Sequence, residues 1–307
     1  MTTSQRWLIR LGDSAAWRAR RPIAAALATT ALVLVLAVTP TASDVKAASM
    51  FDSLRSPGQV AFIAGHRGEK VLAPENTLPA FQLAIDSSAE FVETDVQLTS
   101  DGVPIIMHDW TLDRTTNGSG PVWEWTAEQI SALDAGSWFS PDFAGTRVPT
   151  LEQFLDLVWT SDKRAILELK GSWTREQTAL VSQQVRTAGM EDRVLIASFD
   201  VVTLQAVAEV APHLPRLIIS RQVTGDPSIL AALCGAVAIV TSKAFLEREP
   251  GAVDRIHEAG LGVLVYTLND EKTWGEAIAL GVDGIITDSP TELERWLDGP
   301  SPWAHDG

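Results

Sequence analysis

The sequence predicts an α/β fold, a (β/α)₈ TIM barrel with a small insertion subdomain after the second strand. Three observations predict it. Eight short apolar or β-branched runs are spread over residues 60–287, and amphipathic segments alternate with them. This alternation fills about 250 residues, the usual length of such a barrel. One stretch only, residues 109–147, breaks the rhythm.

The strand runs, in order, are residues 60–64, 91–98, 165–169, 194–198, 216–219, 237–240, 262–267 and 284–287. Residues 104–107 are expected to pair with the second strand as an extension of the sheet. The helices between them are marked by their starts. Thr150 with Gln153, and Thr174 with Gln177, have capping-box spacing, in which two residues satisfy each other's free backbone amides. Asp200, Asp270 and Ser289 are N-cap residue types set directly before apolar periodicity, and Asp288 is read as a cap as well. No short internal repeat is visible beyond the alternation itself.

Residues 109–147 hold Gly118, Gly120, Pro121, Pro141 and Gly145 together with Trp110, Trp123, Trp125 and Trp138. A connection of that length inside a compact barrel is functional or a small subdomain. The aromatics predict that it packs on itself and caps the barrel mouth, as a self-packed core or as a substrate surface. After Trp296, the tail from Asp298 to Gly307 is rich in Pro and Gly and is expected to fray.

The N-terminus is a different kind of segment. Arg6, Arg10, Arg18, Arg20 and Arg21 precede an apolar stretch at residues 23–38, and Val45 and Ala47 fit the −3 and −1 positions of a cleavage site. That pattern predicts a secretory signal peptide over residues 1–47, a barrel over 48–307 and a secreted, extracellular protein. Sixteen apolar residues fall short of the ~20 that span a bilayer, so the rival reading is an uncleaved anchor and no stable span is expected in the mature chain. Six of the 24 basic and two of the 39 acidic residues lie in 1–47, leaving 18 against 37 and a formal charge of −19 on the rest. Such a surface repels nucleic acid and anionic membranes, and it calls for a cation wherever a phosphate is to be accepted. Cys234 is the only cysteine and stands in an apolar stretch, so no internal disulfide exists and the thiol reads as a small buried group. Oligomeric state is not readable from these patterns.

The chemistry-bearing residues cluster by position. His66 follows the first strand run, where a strand–helix loop begins. Glu93 and Asp95 are i and i+2 on the second run, so both side chains face one way. Buried there, they require a partner or a metal. Glu168 and Lys170 repeat the spacing at the end of the third run, and His108 lies just past residues 104–107. All of them fall at the carboxyl ends of strands, where barrel active sites form. Two imidazoles supply an acid and a base, and paired carboxylates hold a divalent cation, the set needed to hydrolyse a phosphate diester.

The ordered motifs then resemble a family. His66-Arg67-Gly68, Pro74-Glu75-Asn76-Thr77, Glu93-x-Asp95-Val96, Thr99-Ser100-Asp101-Gly102, His108-Asp109 and Asp113-Arg114-Thr115-Thr116 are similar to those of glycerophosphodiester phosphodiesterases. The similarity continues through Pro149-Thr150-Leu151, Glu168-Leu169-Lys170, Ser198-Phe199-Asp200 and the run from Gly281 to Asp288, covering residues 60–297. The resemblance implies a (β/α)₈ barrel in which Glu93, Asp95 and Glu168 bind one Ca²⁺ or Mg²⁺, with Ca²⁺ favoured outside the cell. It implies His66 and His108 as the acid–base pair, Arg67 and Lys170 on the phosphate oxygens, and Glu75 as a support that orients Arg67 or completes the metal environment. Phe199 and Tyr266 are expected in the substrate pocket, although Phe199 also reads as a core residue. Two departures stand out: Ser88-Ala89-Glu90 replaces a Gly-Ala-Asp-like turn, and Tyr266-Thr267-Leu268-Asn269 replaces Trp-Thr-x-Asn.

The implied reaction releases sn-glycerol 3-phosphate and an alcohol through a cyclic phosphate, with His108 as first base and His66 as acid. The substrate is a small-molecule glycerophosphodiester whose alcohol the sequence leaves open. Competing readings are a related phospholipase D or lysophospholipase D-type barrel, a non-catalytic phosphodiester-binding protein and a Schiff-base lyase using Lys170. Blander roles are an ion pair for Glu168 and Lys170, a helix-start charge for Glu75, and surface or tail positions for His213, His257 and His305.

Overall fold

The computed structural model describes residues 54–299, Thr224 excepted. The expected signal segment 1–47, most of the tail and His305 lie outside the described residues. Nine strands follow in order: β1 Phe62–Gly65, β2 Phe91–Leu98, β3 Pro104–Ile106, β4 Arg164–Leu169, β5 Val194–Ser198, β6 Arg216–Ile219, β7 Ala238–Ser242, β8 Gly262–Tyr266 and β9 Gly284–Thr287. Eight are parallel neighbours in the order β1-β2-β4-β5-β6-β7-β8-β9, and β9 pairs back onto β1 to close the barrel. The ninth, β3, lies antiparallel on β2, as the pattern at 104–107 predicts.

Helices α1 Leu78–Asp86, α3 Leu151–Trp159, α4 Arg175–Thr187, α5 Val201–Val210, α6 Pro227–Cys234, α7 Lys243–Arg248, α8 Ala252–Glu258, α9 Glu271–Leu280 and α10 Pro290–Leu297 separate or follow the barrel strands; α2 Ala127–Ser131 belongs to the insertion. The capping boxes at Thr150/Gln153 and Thr174/Gln177 are formed, and Thr126/Gln129 adds a third at the start of α2. Asp200 and Asp270 cap α5 and α9 through their side chains, whereas Ser289 occupies the cap position of α10 without a side-chain bond.

Strand parity organises the interior. One set of alternate residues, including Phe62, Ala64, Phe91, Ile166, Ala197, Ile219, Val240, Leu264 and Ile286, forms an apolar cluster inside the barrel. The opposite set packs outward against the helices, with Phe81, Phe154, Leu155 and Val185 among its partners. Because side chains alternate along a strand, residues two further on from the inner cluster rise to the mouth. His66, Glu93, Asp95, Glu168, Phe199 and Tyr266 all share that parity.

The opposite end is closed by polar contacts. Buried Asp283 accepts from the Arg55 and Val263 backbone amides at 2.6 and 2.7 Å and lies 2.9 Å from His257 Nε2. His257 is therefore a half-buried structural residue and not the surface group its position suggests.

The insertion packs on itself, chiefly through aliphatic residues, with Trp125 partly buried against them. Ile105, Met107, Leu112, Val122, Ile130, Ala135 and Val148 form its core. Trp110, Trp123 and Trp138 remain 40–53% exposed. Asp134 ties its loop by accepting from the Gly136, Ser137 and Gly145 amides. Among the described residues no helix is long and apolar enough to cross a membrane.

Candidate active site

A cavity of about 240 Å³ opens at the carboxyl ends of the strands, lined by His66, Arg67, Glu93, His108, Glu168, Lys170, Phe199, Arg221 and Tyr266 above a floor of Ile166, Ala197, Ile219, Val240 and Ile286. Every site residue expected from the sequence reaches this cavity or contacts a residue that lines it. Asp95 and Glu168 are direct cross-strand partners in the β2–β4 register, so neighbouring strands present their acids side by side.

The turn after β1 builds one wall. Arg67 and Asn76 both adopt left-handed backbone, with φ of 58° and 56°. That conformation disfavours a Cβ and persists only where the surroundings hold it. Here they do: the Arg67 amide donates to Glu93 Oε2 at 2.9 Å, and the Asn76 amide donates to the Arg67 carbonyl at 3.1 Å. The Asn76 side chain in turn donates to Asp95 Oδ2 and accepts from Thr94 Oγ1, both at 2.9 Å. Gly68 follows because a Cβ there would stand 2.6 Å from the Ala80 backbone.

Glu93, Asp95 and Glu168 each offer a carboxylate oxygen, and the three lie within 4.8 Å of one another. Their charges are unevenly matched. Asp95 contacts Lys170 Nζ and Arg67 Nε, both at 3.2 Å, and these cations hold its pKa low against burial. Burial and the other two acids push the Glu93 pKa well up. Glu168 is raised too, by burial and Asp95, despite Lys170 at 2.7 Å. Two buried acids with too little positive charge nearby are the donor chemistry that a hard dication satisfies, and an all-oxygen set suits Ca²⁺ or Mg²⁺. The residues fit such an ion.

Each imidazole is anchored on a carboxylate. His66 Nδ1 lies 2.6 Å from Asp288 Oδ1, and His108 Nδ1 lies 2.7 Å from Asp109 Oδ1. A carboxylate there fixes the proton on Nδ1 and leaves Nε2 free to exchange one. Burial lowers both imidazole pKa values, with their carboxylates pulling the other way. Asp288 also receives Lys70 Nζ at 3.1 Å and Asn269 Nδ2 at 2.8 Å. It is thus the partner of His66 and not the helix cap expected from its place before Ser289-Pro290. The Gln97 amide nitrogen, 2.6–3.1 Å from the carbonyls of Met107, His108 and Asp109, fixes the segment carrying the second ring.

Arg114 links the two halves. Its guanidinium donates to both Asp109 oxygens at 2.6 and 3.0 Å and to both Glu75 oxygens at 2.7 and 2.8 Å. Glu75 also accepts from Arg67 at 2.7 Å. Its pKa falls to about 2 because these two guanidiniums outweigh burial. Glu75 therefore orients Arg67, the first of its two expected roles, and stands outside the acid cluster. Sequence reasoning placed none of Asp288, Asn76, Asp109, Arg114 or Arg221 in the site, and it read Asp288 as a helix cap.

The comparisons with known proteins agree with this geometry. A family model described as the glycerophosphoryl diester phosphodiesterase family matches residues 66–292. A glycerophosphodiester phosphodiesterase from Caldanaerobacter subterraneus subsp. tengcongensis is 34% identical over 234 residues, covering 75% of this chain and 95% of that protein. The crystal structure of a glycerophosphodiester phosphodiesterase from Agrobacterium tumefaciens is similar at TM-score 0.69 and 34% identity, over 77% of this chain and 100% of that one. An Oleispira antarctica phosphodiesterase, solved in complex with the product sn-glycerol-3-phosphate, is similar at TM-score 0.75 and 27% identity, over 78% of this chain and 98% of that one.

Proposed function

The chain belongs to the glycerophosphoryl diester phosphodiesterase family, and on that premise we propose that it hydrolyses glycerophosphodiesters to sn-glycerol 3-phosphate and an alcohol. The observation that carries the reading is the meeting of two carboxylate-anchored imidazoles with three clustered acids in one cavity. The product complex of the Oleispira antarctica relative supports the identity of the released phosphate.

The division of labour follows from the contacts. Glu93, Asp95 and Glu168 would hold a divalent cation, which would supply Lewis-acid charge to the phosphoryl group. Arg67, oriented by Glu75, and Lys170 present cations to the remaining oxygens. His108 takes the proton of the glycerol hydroxyl beside phosphorus as that oxygen attacks. The bond from phosphorus to the leaving oxygen breaks, and His66 donates its proton to the departing alcohol. Water then opens the cyclic phosphate with the two proton roles exchanged. Asp288 supports the acid role of His66 by favouring its protonated form against burial.

Ca²⁺ is the ion we favour, because its flexible coordination suits carboxylates from two strands and the N-terminal pattern points outside the cell. The Schiff-base alternative is disfavoured, since Asp95 and Glu168 raise the Lys170 pKa against burial and keep the amine charged.

The test is release of glycerol 3-phosphate from glycerophosphocholine, glycerophosphoethanolamine, glycerophosphoglycerol and lysophospholipid, with and without chelator. Release from at least one diester, lost with chelator and restored by Ca²⁺, is the expected result. No release from any overturns the reading, and release untouched by chelator overturns the role of the cation.

A further inference from the structure

We propose that the cavity wall facing away from the imidazoles is a subsite for an anionic leaving group, centred on Arg221, so that the preferred substrates are glycerophosphodiesters whose alcohol carries a second negative charge. The inference rests on the phosphodiesterase reading above and narrows its substrate class.

Position comes first. Arg221 lines the cavity two residues past Ile219, a member of the inner apolar cluster, and so continues the parity that lifts His66, Glu93 and Glu168 to the mouth. It follows β6, which stands four places from β1 in either direction around the eight-strand ring. Arg221 and His66 are therefore carried on opposite strands. A phosphorus held beside His66, Arg67 and Lys170 leaves the far wall to the rest of the substrate.

Charge is the second argument. The cations around the imidazoles are committed: Arg67 to Glu75 and Asp95, Lys170 to Asp95 and Glu168, Lys70 to Asp288, Arg114 to Glu75 and Asp109. Arg221 makes no ion pair with a carboxylate among the described residues. Its guanidinium instead lies over the Phe199 ring, 5.7 Å from the centroid, an arrangement that steadies the group and leaves its charge available. Phe199 meets Tyr266 edge-on at 6.4 Å, and the buried Tyr266 hydroxyl lies against the Arg221 guanidinium. Beneath it lies the apolar part of the floor, Ala197, Ile219 and Val240, which brings no charge of its own. A guanidinium steadied on an aromatic ring above an apolar floor suits a phosphate or carboxylate attached to a short polyol.

The experiment compares kcat/KM on matched pairs with the cation-loaded enzyme. Glycerophosphoglycerol with and without a terminal phosphate isolates the second charge, and glycerophosphoserine against glycerophosphoethanolamine asks the same of a carboxylate. Wild type is expected to prefer the charged member of at least one pair, which names the anion. Arg221→Gln loses roughly tenfold or more on that member, the scale of a charge-assisted hydrogen bond. It keeps its rate on glycerophosphoglycerol and glycerophosphocholine, and Arg221→Lys recovers part of the preference. Equal loss on every substrate overturns the proposal by placing Arg221 on the reacting phosphate or the shared glycerol. Absence of preference in wild type, or of any effect of Arg221→Gln, overturns it as well. If wild type cleaves no member of the panel, the phosphodiesterase reading itself is what falls.

Discussion

Asp288→Asn probes how His66 works, and its outcome can be worked from four contacts. Asp288 Oδ1 receives His66 Nδ1 at 2.6 Å and Lys70 Nζ at 3.1 Å, and Oδ2 receives Asn269 Nδ2 at 2.8 Å. Asn269 cannot turn to help, because its own oxygen already accepts from the Asp288 amide at 2.9 Å. An asparagine at 288 has one oxygen to place. At the Oδ1 position it still serves His66 and Lys70, and its NH₂ opposes the Asn269 amide at an exposed edge. Turned over, its NH₂ opposes an ammonium and Nδ1–H together, which is the worse conflict. The tautomer of His66 therefore survives, and what is lost is the negative charge.

That charge favours the imidazolium against burial and against the neighbouring Arg67 and Lys70 cations. A hydrogen bond to a charged partner contributes about 1.5–3 kcal/mol and a neutral one about 0.5–1.5, a difference of about 1–2 kcal/mol. At about 1.4 kcal/mol per pKa unit, the His66 pKa drops by roughly one unit. An acid with a lower pKa is protonated only at lower pH, so the rate declines at a lower pH than in wild type. We expect kcat/KM on glycerophosphocholine to fall about tenfold near neutrality, with the deficit shrinking towards acid pH. A full pH profile of both enzymes is the assay. A uniform loss at all pH values refutes the argument, and a loss near 10⁴-fold refutes the orientation chosen for the amide, since that is the scale of a wrong tautomer. Movement of the acidic limb instead assigns His66 as the base.

Further outcomes follow from the same network. Arg114→Ala removes two bidentate contacts and should reduce kcat/KM by about tenfold or more; Arg114→Lys should rescue little because an ammonium cannot fork twice. The unfolding temperature should fall as well, since Arg114 is one of the two guanidiniums that hold buried Glu75 ionised. Glu75→Gln should destabilise the fold by about 3 kcal/mol at neutral pH, from a pKa near 2 in place of 4.5. Because that pKa is depressed, the difference is full above pH 4.5 and disappears as the pH falls towards 2, which acid titration of both proteins measures. Calcium titration by calorimetry in buffers of different ionisation enthalpy should show proton release from the acid cluster that grows as the pH is lowered, diminished in Glu168→Gln; no release in wild type at any pH contradicts the raised acids.

Much of this architecture was legible in the chain because each strand is a brief apolar run between polar turns. Residues 194–198 and 216–219 coincide with β5 and β6, and 237–240 misses the end of β7 where Thr241 and Ser242 replace apolar residues. Glu93 and Asp95 are conspicuous because acids interrupt a β-branched run. Asp288 and Arg221 were not, although each stands two residues past an inner apolar residue, Ile286 and Ile219. The same parity that exposed Glu93 applies to them, but an acid before Ser289-Pro290 carries the stronger local signature of a helix start. Contacts such as Arg114 with Glu75, 39 residues apart, leave no local signal at all. Of the two roles open to the insertion tryptophans, core or surface, the core one holds for Trp125 alone among the four. Large rings suggest a core, yet Leu112, Val122 and Ile130 fill it and leave Trp110 and Trp123 at the surface.

Charge balance explains why the acid cluster and the imidazoles need one another. Glu75, Glu93, Asp95, Asp109 and Glu168 form a network with Arg67, Arg114 and Lys170, and Asp288 pairs with Lys70 behind His66. Six acids against four bases leave two negative charges while both imidazoles are neutral. A diester would arrive as a third, and two like charges ~5 Å apart at an effective dielectric near 20 repel by about 3 kcal/mol. The site can reach neutrality in two ways: the raised acids take up protons, or a dication binds. Protonated acids would hold no cation at phosphorus, so the second route is the one that would favour the substrate we propose. The elevated pKa of Glu93 and Glu168, the low pKa of Asp95 and the two buried rings are thus one arrangement. A dication held by the three acids would supply the charge that the proposed phosphodiester chemistry calls for.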